Sequence, residues 1–245
     1  MAHTGRLLRR GKQMRKQALV VRGGWPGHDP VAATDVFIPA LEDAGFHLDI
    51  EDTPEVYADA AVMSRYNLVV QCMTLGSATV DEVAGLRQAV AEGAGFAGWH
   101  GGIIDSFRLS TDYLQFVGAQ FAAHPHAPAD RGRIDVEAYR DYTVRFTEAG
   151  GRHPITAGMK DFEISTEQYW VLTDDLNEVL ADCVLEPGEG DEWPRAATMP
   201  VVWTRQWGAG RIFVTSIGHT VDAVKLPPVR SIIERGLLWA ASQET

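Results

Sequence analysis

Three histidines in this 245-residue chain each follow a short apolar run and sit beside glycines: His28 in Gly23-Gly24-Trp25-Pro26-Gly27-His28, His100 in Gly98-Trp99-His100-Gly101-Gly102, and His219 in Gly218-His219. Imidazole suits proton transfer near neutrality and ligation of a divalent metal. Gly98-x-His100-x-Gly102 also has the spacing of a nucleophile elbow, the tight strand-to-helix turn that lifts its central side chain over the edge of a sheet. With imidazole where an acyl-transfer enzyme carries Ser or Cys, the turn favours acid/base work or metal binding over an acyl-enzyme route. The structural alternative is a glycine-rich turn whose histidine only caps backbone carbonyls.

In open parallel α/β sheets, ligands bind outside the carboxyl ends of the strands, so strand ends must position such residues. Ala18-Leu19-Val20-Val21, closed by Gly23-Gly24, reads as a central strand covered on both faces. Phe46 to Ile50, Asn67 to Cys72 and Gly95 to Trp99 read as further strands. Asp29 and Pro30 offer an N-cap and first helical residue for a segment ending at Gly45, which Pro39 is expected to kink or split. Thr79-x-x-Glu82 has the form of a capping box, followed by Val83, Leu86, Ala89 and Val90 at helical spacing and Gly93 as stop. This alternation predicts a doubly wound, mainly parallel sheet between helical layers. The second half is less regular. Val144 to Phe146, Val179-Leu180 and Val201 to Trp203 are short strand candidates, Arg211 to Thr215 is a stronger one, and Pro228 opens a closing helix. Glu186 to Arg195 reads as a surface loop within one domain spanning 17–241.

Hydrophobic content of 45% and charged content of 22% fit an ordinary globular domain that needs no disulfides or metal staples. The 33 acidic against 22 basic residues give a net charge of −11, which opposes a phosphate backbone, so a nucleic-acid partner is not expected. Residues 1–16 carry Arg6, Arg9, Arg10, Lys12, Arg15 and Lys16 with no acid and no following apolar h-region or cleavage site, and read as a disordered basic arm or the product of an upstream start codon rather than a secretory signal. Cys72 and Cys183, far apart at the ends of apolar runs, read as buried reduced thiols. Without a run of 18 apolar residues, no membrane span is expected and the location reads as cytoplasmic. Symmetric self-association is the default expectation for such a domain, a homo-oligomer with no interface assigned.

Several blocks together resemble the ThuA-like, or trehalose-utilisation, family. They are Gly23 to Pro30, Gly98 to Gly101, Gly118-Ala119-Gln120-Phe121-Ala122-Ala123-His124-Pro125, His153 to Thr156, Thr166-Glu167-Gln168-Tyr169, and Pro200 to Trp203 through Gly208-Ala209-Gly210-Arg211 to Gly218-His219. The resemblance covers about residues 17–241. It implies a three-layer flavodoxin-like α/β fold related to class I glutamine amidotransferases but without their cysteine nucleophile. It also implies a role in sugar catabolism beside sugar oxidoreductases that make 3-keto sugars. Two positions depart from the family pattern: Thr166 stands where Asp is usual, and Trp99 where a smaller aliphatic residue is common.

Carried onto matching positions, the family's polar pocket becomes His28, His100, His124, Glu167 and His219. One reading has Glu167 or His100 remove a proton alpha to a sugar ketone while other histidines stabilise the enediolate. Another has three of the five hold a divalent metal such as zinc. A third is a silent sugar-binding partner of an oxidoreductase. Trp25, Trp99 and Tyr169 are the candidate sugar contacts, with Trp99 a candidate aromatic platform. His126 adds an imidazole two residues from His124. His153 reads as a turn former, His47 as structural, and Trp170 and Trp203 as core. Neither cysteine occupies the elbow, although Cys72 ends a strand and could reach the sheet edge. No complete glycine-rich phosphate motif is present, so nucleotide binding is disfavoured.

Overall fold

The computed structural model describes residues 16–125, 139–188 and 191–242. In chain order its elements are β1 (Lys16–Gly24), α1 (Pro30–Asp35), α2 (Ile38–Asp43), β2 (Phe46–Glu51), α3 (Ala60–Met63), β3 (Leu68–Thr74), α4 (Val80–Ala91), β4 (Gly95–Trp99), α5 (Gly101–Ile104), α6 (Thr111–Val117) and β5 (Ala119–Ala123). They continue with β6 (Tyr139–Phe146), α7 (Glu148–Arg152), β7 (Phe162–Glu167), β8 (Trp170–Thr173), β9 (Glu178–Leu185), β10 (Ala197–Trp207), β11 (Gly210–Thr215), α8 (Val221–Lys225) and α9 (Pro227–Ala240). Of the basic arm, Lys16 opens β1; residues 1–15, like His126, lie outside the described residues.

Among these residues the main sheet has the order β2-β1-β3-β4-β11-β10-β9-β6-β7. From β2 to β11 the pairs are parallel; from β11 to β7 they are antiparallel. The expectation of a mainly parallel sheet is therefore corrected to a mixed one. The physical reason lies in the connections: Gly208-Ala209 joins β10 to β11 as a two-residue turn, too short for the crossover that a parallel pair needs. A separate ribbon pairs β5 with β8.

The parallel strands read as unbroken apolar runs because both faces are covered. Ala18, Val20, Val70, Ala97 and Phe213 join one core with Phe37 and Leu41 near α1 and α2 and with Ile233 and Leu237 of α9. Leu19, Val21, Val69, Phe96 and Val214 join a second core with Val83 and Leu86 of α4 and Tyr113 and Phe116 of α6. Local signals place the helices. Thr79 accepts from Glu82 N at 3.2 Å while Glu82 Oε2 accepts from Thr79 N at 2.7 Å, closing the capping box. Pro39 splits its segment rather than kinking it: α1 ends at Asp35, and Pro39 falls in the first turn of α2, where no N–H is required. Asp29 stands at the predicted N-cap without a side-chain capping bond.

Candidate active site

Three parallel strands deliver the three histidines to one edge. His100 follows β4 with φ 51 and ψ −146, a conformation that costs a side-chain-bearing residue on the order of 1–3 kcal/mol, and its backbone donates to the Thr215 carbonyl at 2.7 Å and accepts from Ile104 N at 3.0 Å. Gly101 is required next: a Cβ there would come within 2.5 Å of His28 Cε1. His100 Nδ1 lies 2.8 Å from the Ser216 carbonyl, and since a carbonyl only accepts, this nitrogen carries the hydrogen. His28, at the end of a short turn after β1, is fixed through Nδ1 by the Thr74 hydroxyl at 2.7 Å. His219 follows β11. The three rings stand edge to face, with centroids 4.6 Å (His28 and His100), 5.1 Å (His28 and His219) and 5.3 Å (His100 and His219) apart.

The carboxylate arrives from the other half of the molecule. Among the described residues, β6 and β7 form a ribbon that joins the sheet through two residue pairs, Arg145 with Asp182 and Phe146 with Ala181. Its far end lies over the histidines, so that Glu167 Oε2 sits 3.0 Å from His100 Nε2 and 3.0 Å from His219 Nδ1, while Oε1 lies 3.6 Å from His124 Nε2. Along 167–169 the side chains alternate as in a strand. Glu167 and Tyr169 face the cluster, Tyr169 Oη at 2.7 Å from His100 Nε2, whereas Gln168 turns away to donate to the Val184 carbonyl at 3.0 Å and Cys183 Sγ at 3.2 Å. His124, just past β5, packs its ring against Phe121 and Tyr169.

All members of the cluster are buried except His124, whose side chain is 24% exposed and gives the site its solvent side. Burial, then repulsion from His100 and His219, pushes the His28 imidazole down to about 2. Burial also pushes His100 down, against the raising influence of Glu167. Burial would raise Glu167, but the close approach of His100, His219 and His124 outweighs it and holds the carboxyl well below the usual carboxylate range. The arrangement thus sets an ionised carboxylate beside the His28 and His100 imidazoles, which burial favours in their neutral form. His219 Nδ1, although 3.0 Å from Glu167 Oε2, is buried and out of line for a hydrogen bond. One ligand atom from each of His28, His100, Glu167 and His219 can be chosen so that all lie within 4.8 Å of one another, so these four could hold a metal ion.

The structure therefore brings together His28, His100, His124, Glu167, His219 and Tyr169. Trp25 stands at the rim, 46% exposed and edge-on to His28 with centroids 4.7 Å apart. Trp99 does not reach the site, and the expectation of an aromatic platform there is corrected. It is 1% exposed, sits in the core 5.0 Å from the Phe37 ring, and packs so closely that a Cβ on Gly218 would lie 2.6 Å from its Cδ1. His153 accepts from Ile155 N at 3.3 Å and meets the Trp239 ring edge to face, and His47 is an exposed β2 residue. Cys72 is buried behind Gly102, and burial pushes its thiol up to about 12, which removes it as a nucleophile.

Four functional neighbours escaped the sequence reading. Thr74 ends β3 and Ser216 follows β11, so the strand-end rule that found the histidines also points to them. Asp105 and Arg108 carried no such signal. Asp105, 5% exposed, is paired with Arg108, whose guanidinium lies over the Phe121 ring.

The sequence matches the family described as ThuA, Trehalose utilisation, over residues 17–240. This chain belongs to the ThuA family. No curated protein matches the sequence. Its ThuA fold is shared by the crystal structure of a ThuA-like protein from Bacteroides uniformis, 17% identical, with 96% of this chain and 95% of that one covered and a TM-score of 0.67. A ThuA-like protein from Parabacteroides merdae is similar over 94% of this chain and 92% of its own at 19% identity and a TM-score of 0.68. A β-galactosidase from Bacillus circulans sp. alkalophilus is 13% identical and covers 93% of this chain with only 30% of its own, TM-score 0.53, a likeness of fold alone.

Proposed function

We propose that this ThuA protein processes a carbonyl-bearing carbohydrate, an oxidised (3-keto) glucoside or disaccharide, by proton transfer within the His/Glu cluster. The observation that carries the reading is the buried, ionised Glu167 carboxylate within 3.0 to 3.6 Å of three imidazoles at a sheet edge rimmed by Trp25. The geometry of the His100 elbow supports kinship with class I glutamine amidotransferases and their three-layer flavodoxin-like fold, with imidazole replacing the thiol. Such a site starts no acyl transfer; it moves protons.

In the reaction, the proton on the carbon between ketone and anomeric centre passes to the Glu167 and His124 side of the cluster, which faces solvent through His124. The electron pair it leaves becomes an enediolate, whose charge develops toward the imidazoles. Because the glycosidic oxygen is beta to the ketone, the enediolate can re-form the ketone, make a double bond between the alpha and anomeric carbons and expel the glycosidic oxygen, which leaves as an alcohol by taking back the abstracted proton; elimination thus follows enolisation without a covalent enzyme intermediate. A sugar oxidoreductase must supply the ketone, and the two free, buried thiols fit a reducing compartment such as the cytoplasm.

Proton NMR of the purified protein with trehalose and with 3-keto-trehalose in deuterated buffer tests this. The expected result is deuterium at the carbon alpha to the ketone, or release of the second sugar, with the keto sugar alone. Line broadening without exchange or product would replace catalysis by the role of a sugar-binding partner, and no response to either sugar would sink the substrate class.

A further inference from the structure

We propose that His28, His100, Glu167 and His219 bind one divalent transition-metal ion of zinc-like ligand preference, an inference that deepens the proposed sugar chemistry and rests on that reading for its role. Three imidazole nitrogens and one carboxylate oxygen are an ordinary donor set for such ions. Ligands about 2.1 Å from a common ion lie about 3 to 4 Å from one another, and the four atoms here all fall within 4.8 Å with every residue buried.

The contacts around His100 fit a bound cation. His100 Nδ1 donates to the Ser216 carbonyl, so the Nε2 of a neutral ring presents a lone pair. That lone pair faces Glu167 Oε2 at 3.0 Å, two acceptors toward each other. The opposite tautomer repairs this contact but sets a lone pair on Nδ1 against the carbonyl at 2.8 Å. No neutral form of His100 satisfies both contacts. The Tyr169 hydroxyl, 2.7 Å from Nε2, can donate to the ring lone pair but leaves the facing Glu167 oxygen unrepaired, whereas a metal ion bound by both Nε2 and Oε2 accounts for their 3.0 Å approach. His219 adds an independent sign: its Nδ1 is buried 3.0 Å from the same carboxylate oxygen yet makes no hydrogen bond, as two ligands of one ion would. Ser216 on His100 and Thr74 on His28 occupy the other ring nitrogens, the usual means of orienting metal-ligating histidines.

His124 approaches the other carboxylate oxygen, Oε1, and stands outside the set. When bound, the ion supplies a Lewis acid for the ketone oxygen and its enediolate. Proton removal then falls to His124, the cluster member on the solvent side.

The test uses the full chain without a histidine tag, stripped by chelator and titrated with zinc or manganese. Ion content is read by elemental analysis, affinity by calorimetry and the thermal midpoint by circular dichroism. One ion per chain and a raised midpoint are expected. His219→Ala and His28→Ala should each weaken binding by about 100-fold or more, and His124→Ala should retain the ion while losing turnover. Sub-stoichiometric binding, or binding unchanged in both His219→Ala and His28→Ala, would overturn the proposal. So would a second ring proton on His100 in nitrogen-edited NMR of the titrated protein. Stoichiometric binding without exchange or cleavage of the keto sugar would leave the ion and remove the sugar reading. Turnover by the chelated, metal-free protein would do the reverse.

Discussion

Three side chains of the cluster follow strands buried on both faces, while the carboxylate and the tyrosine lie between two narrow ribbons. β1, β4 and β11 run through two apolar cores, so His28, His100 and His219 inherit fixed positions from the packing beneath them. Glu167 and Tyr169 depend instead on a ribbon joined to the sheet by two residue pairs and on the anchor that Gln168 makes to Val184 and Cys183. The imidazoles are placed by a scaffold, and the charge that makes them useful is brought to them. Each half keeps a free thiol behind its contribution, Cys72 under Gly102 and Cys183 under Gln168.

The contrast can be broken most severely at its meeting point. Glu167→Gln keeps the shape of the side chain and removes the charge, and turnover of the keto sugar should fall by about 10²–10⁴-fold, measured by single-turnover kinetics. A fall of less than tenfold would mean that the ribbon only covers the site. A smaller effect separates the halves. Gly101→Ala sets a methyl against the His28 ring and should cost about 10–100-fold in turnover through misplacement of one imidazole. Gln168→Ala should cost about tenfold, in kcat rather than KM and with an unshifted pH profile, because it loosens the joint without touching substrate. If Gln168→Ala proved the more damaging, the scaffold and the joint would exchange importance. The smallest effect belongs to the thiols. Burial pushes Cys72 up to about 12 and Cys183 up to about 11, so neither should react with iodoacetamide at pH 8 in the folded protein, by mass spectrometry, and activity should be unaffected. Labelling of Cys183 alone would show that the outer half opens.

The same division explains what could be read from the sequence. A strand covered on both faces writes itself as an unbroken apolar run, and a glycine-flanked turn ends it. β1, β3, β4 and β11 and their histidines were therefore legible from residue types alone. β5, β7 and β8 are short and only partly covered, so their burial is neither continuous nor cleanly alternating, and none of them was foreseen. Glu167, Tyr169 and His124 were reached only through the family resemblance. Trp99 misled because an aromatic at the end of a buried strand can face the core or the edge, and residue type does not decide which. The mixed sheet was missed for a related reason: weakly patterned strands hide the short turns that dictate antiparallel neighbours.

The alternation along 167–169 also constrains how this protein can vary. Glu167, Gln168 and Tyr169 point to the cluster, to Val184 and Cys183, and to the cluster again. Inserting or deleting one residue just before them would swap the two sides, sending an amide toward the histidines and a carboxylate against Cys183. Substitution here changes one contact; a gap changes all of them. Selection should therefore tolerate changes of composition in this segment more readily than changes of length, and a library built on this scaffold should vary its letters but never its count.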